Sequence, residues 1–166
     1  PEGEFFADND ERMIFFAKGV IETVRKLGWT PDIIHCHGWI TAMVPLFIKT
    51  CYKDNPLFQD TRLVYSIYND QFDEPLCPTV AKKLVGTGIE EQYVGGLENA
   101  GYPEIIAKAA EFSDALIAAH PDMDPRLASL WDSYPRDKFV HPDTPDYVDQ
   151  YNAFYDTLME KTPIAF

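Results

Sequence analysis

A chain of 166 residues, 46% of them hydrophobic and 14% aromatic, has the material for one ordinary folded domain of residues 1–166. Its charged fraction of 25% argues against disorder, and its net charge of −13 argues against a nucleic acid or an anionic membrane surface as partner, because both are held through Lys and Arg. That balance suits a neutral partner such as a sugar polymer.

In chain order, the acidic cluster Asp8-Asn9-Asp10 precedes a helical stripe of Met13, Phe16, Val20, Val24 and Leu27, with Gly28 placed as its C-terminal cap. The residues "DIIHC", Asp32 to Cys36, predict a short buried strand. A helix is expected from Trp39 to Tyr52, with Pro45 early enough to be tolerated. A loop follows, and "RLVYSI", Arg62 to Ile67, predicts a second strand. Residues 78–102 carry weak helix signals and five glycines. Pro103 opens a helix, Ala115–Ala119 predicts a third strand, a short helix is expected near Pro125–Asp132, and a small strand at Lys138–His141. Thr144-Pro145 predicts the cap of a last helix with a stripe of Tyr147, Val148, Tyr151, Phe154, Tyr155, Leu158 and Met159.

Short apolar strands alternating with helices predict an α/β fold, a Rossmann-like parallel sheet with helices on both faces. Ligands of such sheets sit outside the C-terminal ends of the strands. Two loops therefore become candidates: His37-Gly38-Trp39 after the first strand and Tyr68-Asn69-Asp70 after the second. Both are expected on one rim.

Each candidate has a bland alternative. His35 and His37 share a strand face and could ligate a metal; no third ligand is evident nearby, and a structural role is preferred. Trp39 could stack on a sugar or fill the core. Tyr68, Asn69 and Asp70 could hold hydroxyls, or form a turn that satisfies its own backbone. The carboxylates Asp70, Asp73 and Glu74 read more simply as solvated loop groups than as an acid/base pair. "GTG" at Gly86–Gly88 lacks a feeding strand and a P-loop lysine. His120-Pro121 reads as a strand-end turn. No metal, cofactor or catalytic residue is assigned. Cys36, Cys51 and Cys77 are odd in number and form no C-x-x-C, as expected of reduced thiols in a cytoplasmic protein; no apolar run approaches the ~20 residues of a membrane helix.

Four blocks carry a family resemblance. "LGWTPDIIHCHGWITAMVPLFIK" resembles the first signature of bacterial glycogen synthases and plant starch synthases, LGW-x-PDI-V-H-x-HDWHTAL-x-P-x-Y-L-K. "RLVYSIYND" resembles their second, a strand ending in T-[IV]-HN. "YPEIIAKAAEFSDALIAAHP" resembles K-x-GI-x-x-AD-x-V-x-T-VSP, and "DNDERMIFFAKGVIE" resembles DN-x-x-RF-x-x-F-x-x-A-x-LE. The resemblance implies part of the N-terminal, acceptor-side domain of a GT-B glycosyltransferase. It implies transfer of glucose from the sugar nucleotide ADP-glucose to the non-reducing end of an α-1,4-glucan, with retention. It places His37, Gly38, Trp39, Tyr68, Asn69 and Asp70 at the substrate side. Gly38, Ile40 and Tyr68 stand where the family has Asp, His and His. The Lys-x-GGL loop is not found, and neither is the donor-binding C-terminal domain. The chain, which begins at Pro1, is thus expected to be a fragment or a reduced relative that does not turn over alone. The alternatives are a non-catalytic α-glucan-binding or regulatory module and a transferase with another donor. A sheet without the family's first strands is expected to expose an edge and pair with a second copy.

Overall fold

The computed structural model describes residues 5–162. Four strands form one sheet in the order β1-β2-β3-β4: Ile33–His37, Arg62–Ile67, Ala115–Ala118 and Asp137–Val140. Every neighbouring pair is parallel, with His37 opposite Ser66 and Ile67 opposite Ala118, so the strand ends share one rim. This is the α/β sheet expected from the sequence. The first strand lies one residue later than expected, which brings His37 into it.

Strand alternation sends side chains to two unequal cores. Leu63, Tyr65, Ile67 and Leu116 face the larger one, shared with helices α1 (Asn9–Leu27), α2 (Met43–Thr50), α3 (Val80–Val85) and α4 (Tyr102–Glu111). The short helix α5 (Ala128–Ser133) adds Leu130 and Trp131 to its margin. Val64, Ala115 and Ile117 face the smaller core, covered by the last helix α6 (Tyr147–Met159) through Leu158, with Phe154 and Tyr155 beside it. Each fully buried Leu, Ile or Phe here contributes about 1.5–3 kcal/mol.

Two expectations are corrected. The buried stripe of α1 is Met13, Ala17, Ile21 and Val24, whereas Phe16 and Leu27 are exposed. Ala17, fully buried, lies on the helix face that shares the core with α2, and Phe16 and Leu27 lie on the outward face. The last helix starts at Tyr147, after Asp146, and Asp146 makes no side-chain cap; Thr144 and Pro145 belong to the preceding turn, where the Thr144 carbonyl accepts from the Tyr147 N–H at 3.2 Å. The helix expected to begin at Trp39 begins with a 3-10 turn over Trp39–Thr41, and Pro45 lies in the first turn of α2, where its missing N–H costs little. Gly28 does close α1, with φ of 63° and its N–H on the Arg25 carbonyl. No helix among the described residues is long and apolar enough to cross a membrane.

Candidate functional site

The turn after β1 is held from three sides. The Tyr65 hydroxyl donates to the Gly38 carbonyl at 3.0 Å, the Thr41 hydroxyl donates to the same oxygen at 2.9 Å, and the Gly38 N–H donates to the Ser66 carbonyl at 3.3 Å. Gly38 has φ of 71° and ψ of 168°, a region open almost only to glycine. A Cβ at this position would lie 2.6 Å from Asp70 Oδ2. The carboxylate of Asp70 therefore occupies the space that a side chain at position 38 would enter.

Asp70 is itself fixed. Its Oδ2 accepts from the Trp39 N–H at 3.0 Å and its Oδ1 lies 3.0 Å from the Tyr102 hydroxyl, which also lies 2.9 Å from the Tyr68 carbonyl. Burial, and next the charge of Asp70, push the Tyr102 hydroxyl far above the ordinary tyrosine range, so it stays protonated as a donor. The two loops expected on one rim are thus tied together by a side chain from one and a backbone amide from the other.

His37, Gly38, Tyr68, Asn69 and Asp70 line one open cleft of about 460 Å³ at this rim, and His120 closes its far side. The backbone of Trp39 contributes to the turn, but its ring does not face the cleft. The ring packs edge-on against Phe72, with centroids 5.2 Å apart, and lines a neighbouring groove with Phe5, Arg12 and Phe72 that shares Asp70 with the cleft. From the sequence, His120 carries only a turn reading. The signal that finds it is its place just after β3, on the same rim as the ends of β1 and β2.

His35 and His37 lie on the α6 side of β1, their ring centroids 3.9 Å apart. Both His35 nitrogens are engaged: Nδ1 with the Tyr155 hydroxyl at 2.7 Å and Nε2 with the Ser66 hydroxyl at 2.7 Å. Burial, with the neighbouring His37 adding to it, pushes His35 down to about 3. It is a neutral structural imidazole at pH 7, and a metal would have to displace one of those hydroxyls. His37 Nδ1 pairs with the Tyr68 hydroxyl at 3.0 Å, and burial of part of its ring lowers it below the usual histidine range. The His37 side chain lines the cleft. Cys36 points the other way into the large core, where burial pushes its thiol up to about 12 and keeps it unreactive.

Chemically, the cleft offers an imidazole, a phenol, an amide, a carboxylate and a second imidazole around a small open volume. That set pairs with hydroxyl groups as donor and acceptor, with Asp70 as its one acidic side chain. A family model for the starch synthase catalytic domain matches residues 1–129, which include both signature loops and His120. This chain belongs to the starch synthase catalytic domain family.

Relatives agree with that membership. A glycogen synthase of Desulforamulus reducens is 35% identical over 111 residues, 67% of this chain and 23% of that protein. A glycogen synthase of Chlorobium limicola is 49% identical over 61 residues, 37% of this chain and 12% of that protein. Among solved structures, the catalytic domain of Starch Synthase IV from Arabidopsis thaliana, bound to ADP and acarbose, superposes with a TM-score of 0.62 at 18% identity, over 84% of this chain and 31% of that one. The fold is thus that of part of a GT-B glycosyltransferase, and the chain spans about a quarter of the length of the Desulforamulus relative. Residues 130–166, with α6, lie beyond the family match.

Proposed function

We propose that this chain forms an acceptor-side wall of a cytoplasmic glucosyltransferase that moves glucose from ADP-glucose to the non-reducing end of an α-1,4-glucan, and that the cleft at the ends of β1 and β2 holds a glucosyl unit. The observation that carries this reading is the convergence of His37, Gly38, Tyr68, Asn69 and Asp70 on one cleft, at the rim where open parallel sheets take ligands. His37 Nε2, the Asn69 amide and the Asp70 carboxylate are the groups we assign to sugar hydroxyls. Tyr68 holds the His37 ring through its hydroxyl.

The carboxylate of this rim comes from the loop after β2. In the family signature it comes from the position that Gly38 occupies here, and the Asp70 side chain fills the corresponding space. No catalytic residue is assigned, and the chain, whose matched residues cover 23% of a full relative, is proposed not to turn over by itself. A second reading has a specific observation behind it: with Gly38 and Tyr68 in place of a carboxylate and an imidazole, the same cleft fits a non-catalytic α-glucan-binding or regulatory module.

Affinity electrophoresis in gels with and without glycogen tests the shared part. Retardation of the chain that His37→Ala and Asn69→Ala both lose is the expected result; migration unaffected by glycogen overturns it. A transfer assay with ADP-glucose and glycogen tests the rest. Glucose incorporation by this chain alone would overturn both the absence of turnover and the binding-module reading.

A further inference from the structure

The helix beyond the family match touches the histidine pair that stands behind the candidate cleft. Tyr155 of α6 places its hydroxyl 2.7 Å from His35 Nδ1, and Ser66 of β2 holds the other nitrogen at 2.7 Å. The two contacts on opposite sides of the ring leave the His35 imidazole one orientation. His37 then lies against that ring at 3.9 Å between centroids, and its own Nδ1 is held by Tyr68 at 3.0 Å. The chain of contacts runs Tyr155, His35, His37, Tyr68, along the α6 face of the sheet to the cleft at its rim. Tyr151 flanks it, 6.4 Å from the His35 ring centroid and 6.0 Å from that of Tyr155, and hydrogen-bonds His141 at 3.1 Å.

We infer that Tyr155 is a positioning residue for the cleft: through His35 it fixes the plane of the His37 imidazole that meets a bound glucosyl unit. A free histidine ring turns about two side-chain bonds, and a hydrogen-bond donor or acceptor that is misaimed loses most of its contribution. His37 has one hydrogen-bond partner of its own on the rim, Tyr68, which is 38% exposed. The His35 ring, in contact with His37 at 3.9 Å between centroids and tilted 35° to it, supplies the second constraint, and Tyr155 fixes that ring. The groups facing the pair are Ser66 from β2, Tyr68 beyond β2, Tyr151 and Tyr155 from α6, and Asp70 and His120 across the cleft. The role rests on the reading of the cleft as a glucosyl site. It gives α6, a segment outside the shared family region, an indirect part in binding, through the histidine pair.

Imidazole nitrogen NMR with a pH titration, together with maltoheptaose binding, tests it on the full chain. Tyr155→Phe removes only the hydroxyl. The expected result is a His37 titration midpoint moved upward toward that of a free imidazole, as its ring loosens into solvent. Affinity is expected to fall by roughly three- to tenfold, the size of one misaimed hydrogen bond. Ser66→Ala, which frees the other side of His35 and leaves α6 intact, is expected to move both readouts in the same direction. It keeps the test open if Tyr155→Phe folds poorly. A Tyr155→Phe chain that melts earlier yet keeps the parent's His37 midpoint and affinity overturns the role, because a packing contribution alone would do that. His37→Ala separates the two ideas. If it binds maltoheptaose as the parent does, the cleft reading fails, while a shifted His37 midpoint in Tyr155→Phe still reports the coupling.

Discussion

Gly38 combines a backbone angle with a steric limit. Its φ of 71° and ψ of 168° exclude other residues at a cost on the order of 1–3 kcal/mol, and a Cβ would meet Asp70 Oδ2 at 2.6 Å. Gly38→Ala is expected to lose about 2–3 kcal/mol in urea unfolding, and pairing it with Asp70→Gly to return only the steric share. Restoring the family's carboxylate by Gly38→Asp alone is expected to break the turn before it restores any chemistry. His35 makes a pH prediction. Its folded value of about 3 lies below the ordinary 6.5, so the unfolded chain binds the extra proton between those values. Its contribution is full above pH 6.5 and is lost progressively as the pH falls toward 3. For a partly exposed ring this amounts to about 1–2 kcal/mol after solvent screening. A thermal melt series should show that loss in the parent and a flatter profile in His35→Gln.

Two elements are fastened by a few side chains each. Asp10 at the start of α1 is fully buried and pairs with Lys83 of α3 at 2.7 Å, while its Oδ1 has no hydrogen-bond partner. Lys83→Met would strand that carboxylate, with an expected cost of about 2–4 kcal/mol that Asp10→Asn in the same chain largely recovers; chemical denaturation checks both. Helix α6 is fastened by Leu158, buried against Val64, Ala115 and Ile117, and by the Arg62 guanidinium, which donates to the Leu158 carbonyl at 3.0 Å and to the Lys161 carbonyl. Leu158→Ala is expected to cost about 2–4 kcal/mol and to expose that face of the sheet to a hydrophobic dye. At this scale the sequence was legible wherever one pattern dominated. The strand Arg62–Ile67 is buried at every position, so a continuous β-rich run marks it without ambiguity. Helix α1 offered two apolar stripes, and the choice between them rested on the closeness of α2, a contact that a one-dimensional pattern does not contain.

For the whole molecule, the sheet ends on β1 at one side, with no further strand beside it among the described residues. An open edge of this kind favours pairing, and light scattering is expected to return more than the 19.0 kDa of one chain; a monomer across the micromolar range would sink that expectation. The sequence by itself determined the α/β class, the succession of strands and helices along the chain, the family, and the two loops that meet at the rim. Each of these follows from local patterns: apolar runs, turn residues, and signature blocks in a fixed order. Only the tertiary structure decided that Asp70 fills the space above Gly38, that the Trp39 ring turns into a neighbouring groove, that His120 joins the cleft, and that Tyr155 stands behind His35. Those facts depend on side chains 31 to 120 positions apart meeting within a few ångströms. Parallel strand register and the seating of α6 set such distances, and no stretch of sequence read alone encodes them.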